Sequence, residues 1–246
     1  MTRLLSYNVH RCLGGDRRID VGRVAEVIAA ATPDIVVLQE VDVGRARSGG
    51  VDQAHRLAER LRMAFRFNAA LKVEEELYGD AILTALPERL IKAAPLPGYA
   101  RIPRLEPRGA LWVAIEVAPG VELQVINTHL GLVPREQQLQ AQALAGPHWL
   151  GSPERRDPLI LVGDFNATSA TVAYRILAAA LGDAHAMRPS RAARVATFPS
   201  NMAILRIDHV FVSAGIRVLA MTAPTDPKAR LASDHLPLIV DFELVA

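Results

Sequence analysis

Cysteine is almost absent from this chain of 246 residues, which contains only Cys12. No disulfide can form within the chain, and such cysteine usage fits a reducing compartment, so we expect a cytoplasmic protein. The sequence also lacks any apolar run of the ~20 residues needed to span a bilayer. It begins without the charged and apolar leader of a secreted protein. We therefore expect no transmembrane segment and, at most, peripheral contact with a membrane.

Aromatic residues and excess charge are also scarce. Aromatic residues make up 5% of the sequence, and the formal net charge is +2. A protein whose main task is to coat nucleic acid would carry dense basic stretches, and none is present. Half of the residues are hydrophobic, so the chain can bury a large core. Its length fits one domain, and we predict a single domain over residues 1–246 that acts as a monomer.

Continuous apolar segments alternate with segments of helical spacing along the chain. The pattern predicts a long surface loop over residues 95–107 and helices over 21–31, 51–63, part of 134–150, and 168–181. Thr168 or Ser169 is the expected N-cap of the last of these helices. Strands are predicted over residues 4–9, 34–40, 65–71, 81–84, 110–117, 123–129, 159–162, 207–212, 217–221 and 236–244.

The continuous apolar strands indicate how the sheets are arranged. Such strands are buried on both faces, which two packed β-sheets with helices on the outside would achieve. A single parallel doubly wound sheet is the alternative. It is disfavoured because the segments 110–117 and 123–129 are joined by Ala118-Pro119-Gly120, a short connection typical of a hairpin. We therefore predict an α/β sandwich of two packed mixed sheets flanked by helices.

Four polar strings follow apolar runs and carry most of the chemical information. They are residues 39–40, 127–130, 163–166 and 233–235. Carboxylates, amides and imidazoles at the ends of buried strands are costly unless they meet one another or a metal. Hydrolysis of a phosphate ester needs such a set: an anionic metal ligand, a base for water, and donors for the phosphoryl oxygens.

A hard metal ion is expected at this set. Mg²⁺ prefers oxygen ligands and retains several waters, so few protein ligands suffice, and Mn²⁺ is the alternative ion. Glu40 is the leading candidate ligand, and Asn8 is expected to support the same site through its amide oxygen. Asp234 is adjacent to His235 in an extended segment and points the other way, so it is a third candidate metal ligand.

The remaining polar residues suit proton transfer and binding of the phosphoryl oxygens. Asp164 and Asn166 lie two residues apart, so in an extended segment their side chains share one side. Asp164 could orient or deprotonate water, and Asn166 could donate to a phosphoryl oxygen or help to bind a second metal. Asp208 would hold the tautomer of His235 and raise its pKa. His129 is expected to donate to the scissile phosphate or to the leaving oxygen.

These motifs resemble those of the endonuclease/exonuclease/phosphatase superfamily, whose type member is pancreatic deoxyribonuclease. The resemblance implies a four-layer α/β sandwich and a divalent-metal-dependent phosphoric ester hydrolase. It also implies that Arg108, in Glu106-Pro107-Arg108-Gly109, supports the phosphate site. Six elements occur in the family order, at residues 6–8, 38–40, 127–130, 163–166, 206–209 and 233–235.

Within the superfamily, the chain is most similar to a bacterial phosphodiesterase subgroup that resembles sphingomyelinase-type enzymes. The similarity rests on residues 129–132, 197–199 and 205–208. One position departs from the family pattern, because Asp80 stands in Tyr78-Gly79-Asp80-Ala81-Ile82-Leu83 where asparagine is usual. A carboxylate at that position could orient a histidine or alter the affinity for the metal.

The expected reaction is metal-dependent hydrolysis of a phosphodiester, on a phospholipid headgroup or a small phosphodiester. The alternative is a Mg²⁺-dependent endo- or exonuclease that acts on DNA or RNA, and a catalytically silent binding module is a third hypothesis. A lipid enzyme should carry an apolar loop at the rim of its cleft, for which 130–133 and 202–205 are candidates. Three loops carry arginines that could face a phosphate-rich substrate or solvent: Arg45 and Arg47; Arg101 and Arg104; Arg188, Arg191 and Arg194.

Overall fold

Two six-stranded β-sheets form the centre of the molecule in its computed structural model, which describes residues 1–189 and 195–245. The first sheet has the strand order β11-β12-β1-β2-β4-β3, and the second has the order β5-β6-β7-β8-β10-β9. The strands are β1 Thr2–Asn8, β2 Ile35–Val43, β3 Ala64–Val73, β4 Glu76–Thr84, β5 Glu88–Pro95, β6 Gly109–Ala118, β7 Val121–His129, β8 Leu159–Asp164, β9 Gly182–Asp183, β10 Asp208–Val212, β11 Ile216–Thr222 and β12 Leu238–Leu244.

Helices cover the outer faces of both sheets. The helices are α1 Val21–Ala30, α2 Gln53–Leu61, α3 Pro134–Ala145, α4 Val172–Ala180, α5 Ala184–Met187 and α6 Pro227–Ala232. The first sheet packs against α1, α2 and α6, and the second packs against α3 and α4. This is the predicted four-layer α/β sandwich. None of the described helices is long and apolar enough to cross a membrane.

Alternation along each strand supplies both apolar layers. In β2, Val37 faces the core between the two sheets, whereas Val36 and Leu38 face the helices. Successive side chains of a strand point to opposite faces, so a strand covered on both faces must be apolar throughout. The core between the sheets joins Leu4, Val37 and Ile82 of the first sheet to residues such as Val125 and Val162 of the second.

The hairpin predicted between residues 110 and 129 is present. Strands β6 and β7 pair antiparallel, Ala118 lies opposite Val121, and Gly120 has a φ of +73°. That left-handed conformation is accessible to glycine without a Cβ clash, which explains why glycine ends this turn. The antiparallel pairing excludes the parallel doubly wound alternative.

Four elements were not predicted from the sequence, namely β5, β9, α5 and α6, and one helix start was wrong. Strand β5 is a partly exposed edge strand with a mixed sequence, and α6 is a short helix capped by Asp226. Helix α4 begins at Val172, and Thr171 is its cap rather than Thr168 or Ser169. The Thr168 carbonyl instead accepts the Thr171 N–H at 3.0 Å in a turn that precedes the helix.

Each sheet contains one parallel pair of strands, β1–β2 in the first and β7–β8 in the second. The carboxyl ends of these two pairs lie against each other because Asn127 of β7 bonds across the sheets. Its side chain accepts from Gln39 Nε2 at 2.9 Å and donates to the Leu38 and Ala81 carbonyls at 2.8 and 3.0 Å. A fully buried amide with these three bonds fixes the relative position of the sheets.

We expect Asn127→Ala to lower the free energy of unfolding by about 3 kcal/mol, because it leaves three buried groups without a partner. Glu122→Ala, at the exposed start of β7, is the matched control and should change the free energy of unfolding by less than about 0.5 kcal/mol. Urea unfolding followed by circular dichroism measures both. Equal effects of the two substitutions would show that Asn127 does not join the sheets.

Candidate active site

The polar residues predicted to act together meet at the carboxyl ends of the two parallel strand pairs. Asn8 ends β1, His129 ends β7 and Asp164 ends β8. In the second sheet His129 lies directly opposite Asp164, and Asp208 of β10 lies opposite Asp164 on its other side. The parallel pairing with β7 and the antiparallel pairing with β10 therefore place Asp164 between an imidazole and a second carboxylate.

The Asp164 carboxylate is the common partner of the site. It is 1% exposed. Its Oδ2 accepts from Asn8 Nδ2 at 2.9 Å, and its Oδ1 accepts the Asn166 N–H at 2.8 Å. The Nε2 atoms of His129 and His235 each lie 3.5 Å from Oδ2. Burial raises the pKa of Asp164, His235 opposes this rise, and Asp208 adds to it.

His235 forms the expected imidazole–carboxylate pair. Its Nδ1 lies 2.9 Å from Asp208 Oδ2, and the Phe198 ring packs on the imidazole with centroids 4.9 Å apart. Burial by itself lowers the pKa of His235, but the carboxylates of Asp208 and Asp164 outweigh it and raise the pKa to about 10. The raised pKa favours the imidazolium form, whose Nδ1–H and Nε2–H would face Asp208 and Asp164 respectively.

His129 lies in the opposite environment. Arg108 Nη1 donates to its Nδ1 at 3.0 Å, and Asn166 Nδ2 lies 2.9 Å from its Nε2. The Asn166 amide is oriented because the same Nδ2 donates to the Leu130 carbonyl at 3.0 Å. Burial and then the Arg108 charge hold the pKa of His129 well below its usual value, so the imidazole is neutral.

A neutral imidazole has one acceptor nitrogen, and donors therefore outnumber acceptors around His129. It can accept from Arg108 or from Asn166 but not from both. Arg108 Nε is also buried and has no hydrogen-bond partner among the described residues. Arg108, Asn166 and His129 thus present more N–H groups than the protein accepts at this point. A ligand that offers only acceptors, as a phosphoryl group does, would satisfy them.

Asp80 lies next to this donor cluster. The side chain is buried, and burial raises its pKa to about 8, whereas the Arg108 guanidinium acts in the opposite direction. Arg108 is in turn paired with Glu106, at 2.8 Å from Nη1 to Oε1. Asp80, which replaces the asparagine usual in the family, therefore interacts electrostatically with Arg108, the residue that donates to His129.

Two of the three predicted metal ligands, Glu40 and Asp234, are partly exposed, whereas Asn8 is buried. The chain bulges between Leu38 and Val41, and Glu40 adopts a φ of +58°, so β2 continues to Val43 instead of ending at Glu40 as predicted. Such a bulge re-aims a side chain. Glu40 Oε1 accepts from Asn8 Nδ2 at 3.0 Å. The Asn8 amide oxygen accepts the His10 N–H at 3.0 Å, and Asp234 Oδ1 lies 3.6 Å from His10 Nδ1.

A second set of atoms also has the spacing of a metal site. Asp164, Asp208 and His235 each offer one ligand atom, and these atoms lie within 4.8 Å of one another. An imidazolium has no free lone pair, so a metal could bind here only after His235 lost its proton.

Several supporting residues were not identified from the sequence. Thr197 Oγ1 donates to Asp208 Oδ2, the oxygen that also faces His235. Gln137, in the first turn of α3, donates to the Asn166 carbonyl at 2.9 Å. His209, which the sequence analysis left without a role, accepts from Arg206 at Nδ1 and donates from Nε2 to the Ala167 carbonyl. The signal that could have identified them is their position in the sequence, close to the recognised motifs.

Residues 5–235 match the model of the Endonuclease/Exonuclease/phosphatase family, and the chain belongs to that family. Family members hydrolyse phosphoester bonds, so the chain is a hydrolase of this class. It is 27% identical to the Escherichia coli (strain K12) protein YbhP, in an alignment that covers 98% of this chain and 96% of YbhP.

Solved structures share the fold. Mannosyl-6-phosphatase Bt3783 of Bacteroides thetaiotaomicron VPI-5482 superimposes with a TM-score of 0.79 at 20% identity, over 99% of this chain and 100% of that one. The human Nocturnin catalytic domain with a bound sulfate anion gives a TM-score of 0.73 at 21% identity, over 99% of this chain and 94% of that one. At these identities the likeness concerns the fold alone.

The His235 pair predicts a specific titration in metal-free protein. The pKa of His235 should lie near 10, well above its usual 6.5, and Asp208→Asn should lower it by removing the nearest carboxylate. Because the folded-state pKa is raised, the stability gained from this pair is complete below about pH 6.5 and is lost as pH rises toward 10. NMR titration of the imidazole measures the shift, and a wild-type pKa near 6.5 would contradict the pairing.

Proposed function

We propose that the protein is a divalent-metal-dependent hydrolase of phosphodiesters. The observation that supports this proposal most strongly is the excess of donors around His129, because phosphoryl oxygens only accept hydrogen bonds. Arg108, Asn166 and His129 would bind these oxygens, and His129 is placed to donate to the scissile phosphate or to the leaving oxygen. Donors aimed at developing charge contribute most to such a reaction.

Asp164 and the His235–Asp208 pair are the candidates for handling the proton of the attacking water. Both acids and the imidazole are buried side by side, which couples their protonation states. In the metal-free protein the raised pKa of His235 favours its protonated form, which could act as base only after releasing its proton. Asp164, whose pKa is raised, could orient the water and accept its proton.

The ligand set fits a hard divalent ion, for which we propose Mg²⁺ or Mn²⁺. Glu40 would be the principal anionic ligand, with Asn8 and Asp234 completing the site. An ion there would supply positive charge to the phosphoryl group and the leaving oxygen. The Asn8 amide nitrogen donates to both the Glu40 and the Asp164 carboxylates, which supports a metal site beside the proposed catalytic acid.

We place phospholipid headgroups and small phosphodiesters ahead of nucleic acid, as in the sphingomyelinase-like subgroup that the sequence resembles. Apolar side chains stand exposed near the site: Leu132 is 72% exposed three residues after His129, and Met202 is 65% exposed. Met202 lies four residues after Phe198, whose ring packs on His235. Of the other apolar candidates at the rim, Leu130 is buried. Exposed apolar residues at a cleft mouth suit peripheral contact with a lipid surface.

The nuclease alternative and a phosphomonoesterase remain to be separated by experiment. A hydrolysis screen should include bis(4-nitrophenyl) phosphate, 4-nitrophenyl phosphate, DNA, RNA and lysophospholipid or phospholipid diesters. We expect hydrolysis of at least one diester with Mg²⁺ or Mn²⁺, none in excess chelator, and a higher metal requirement for Glu40→Gln. Full wild-type activity in excess chelator, or hydrolysis of monoesters alone, would contradict the proposal.

Asp164→Asn separates chemistry from folding, because it changes charge with little change in volume. We expect the rate to fall on the order of 10²-fold or more, within the range of general acid–base catalysis. The melting temperature should be unchanged or higher, because burial disfavours the charged carboxylate. A rate and a melting curve from the same preparation provide the test. A fully active variant, or one inactive only through unfolding, would remove Asp164 from the catalytic set.

A further inference from the structure

A cavity of about 390 Å³ lies between the loop 96–107 and the start of α3. It is lined by Tyr99, Arg101, Arg135, Gln138 and Leu139. The loop carries Tyr99 and Arg101, and α3 carries the other three residues. No acidic side chain lines this cavity, so its charge is positive.

The two arginines of the cavity are available to a ligand. Among the described residues neither Arg101 nor Arg135 forms an ion pair, and Arg135 makes one long contact of 3.4 Å from Nη1 to Gln138 Oε1. Other arginines expected to face substrate are occupied: Arg45 pairs with a glutamate at 3.3 Å, and Arg47 with an aspartate at 2.7 Å.

The structure describes the third predicted arginine loop only in part. Arg188 is buried, and Arg191 and Arg194 lie outside the described residues.

Both walls of the cavity are attached to residues proposed to bind the phosphoryl group. The loop is closed at its base, where the Leu96 N–H donates to the Arg108 carbonyl at 2.7 Å, and the Arg108 side chain holds His129. On the α3 side, Gln137 follows Arg135 by two residues and bonds to the Asn166 carbonyl. The chain thus connects both walls of the cavity to residues proposed to bind the phosphoryl group.

The loop is also preorganised. Prolines at positions 95, 97, 103 and 107 restrict its backbone, and the Ile102 N–H bonds to the Tyr99 carbonyl at 3.0 Å, which closes a turn around Arg101. Two arginines that line one cavity can form paired hydrogen bonds with an oxyanion. The Tyr99 ring supplies an apolar wall for the organic group that carries the anion.

We propose that this cavity binds a second phosphate group of the substrate, so that the preferred substrate carries another phosphate on one arm of the scissile diester. This inference rests on the proposed function, because it assumes that a phosphoryl group occupies the donor cluster of Arg108, Asn166 and His129. Arg101 and Arg135 bind the second phosphate, and Tyr99 packs against the ring that carries it.

Binding can be measured without turnover, by calorimetry in the presence of chelator. Thymidine 3′,5′-bisphosphate should bind the wild type about tenfold more tightly than thymidine 5′-monophosphate. Arg101→Gln and Arg135→Gln should each remove most of this difference, because each deletes a bidentate charged contact. Arg62 is an exposed arginine at the end of α2, which packs on the first sheet. Arg62→Gln is therefore the control and should retain the difference in affinity.

A parallel pair of probes identifies the source of the second phosphate. Inositol 1,4-bisphosphate is compared with inositol 1-phosphate, and a preference confined to this pair assigns the cavity to a lipid headgroup. A preference confined to the thymidine pair assigns it to a nucleic acid. Equal affinities within both pairs, or an equal loss in Arg62→Gln, would overturn the proposal. Melting curves verify folding, and Arg135→Lys replaces Arg135→Gln if the latter does not fold.

Hydrolysis of bis(4-nitrophenyl) phosphate by the wild type tests the proposed function separately, since this diester carries no second phosphate. Hydrolysis without a preference for the bisphosphates would reject the cavity and leave the proposed function in place. A preference for the bisphosphates without any hydrolysis would support the cavity and reject the proposed function.

Discussion

The buried carboxylate of Asp164 is the constraint on which the rest of the site depends. A charged group that is 1% exposed is stable only where its neighbours compensate it. Here the compensation comes from both sheets, because Asn8 reaches it from the first sheet and the Asn166 N–H from the second. Asn127, two residues before His129 in β7, bonds to the first sheet close to the same strand ends. The contacts that hold the two sheets together at these strand ends are therefore also the contacts that assemble the site.

The same carboxylate separates two histidines with opposite properties. Asp208 and Asp164 raise the pKa of His235 and favour its charged form, whereas burial and Arg108 lower the pKa of His129 and favour its neutral form. One side of Asp164 is thus suited to the proton chemistry of water, and the other to binding of phosphoryl oxygens. Environments that drive the pKa values of neighbouring groups apart are a common basis for dividing acid and base roles.

The strands that end in polar groups could be predicted from the sequence, because the carboxyl ends of parallel strands lie at one edge of a sheet. The sandwich could also be predicted, because continuously apolar strands must be covered on both faces. The predicted hairpin and the pairing of Asp208 with His235 are also present. The bulge at Glu40 and the contacts of Thr197 and Gln137 were not predictable, because each depends on the approach of segments far apart in the chain. The edge strand β5 was missed because its exposed face breaks the apolar pattern.

The most direct test of this account is a double-mutant cycle on kcat/KM with Asp164→Asn and His235→Gln, using the phosphodiester that the protein hydrolyses fastest. If the buried carboxylate and the imidazole handle the proton of water together, the double variant should lose little more activity than the worse single variant. Losses that multiply across the two substitutions would show that the two groups act independently, and would contradict the central role assigned to the buried carboxylate.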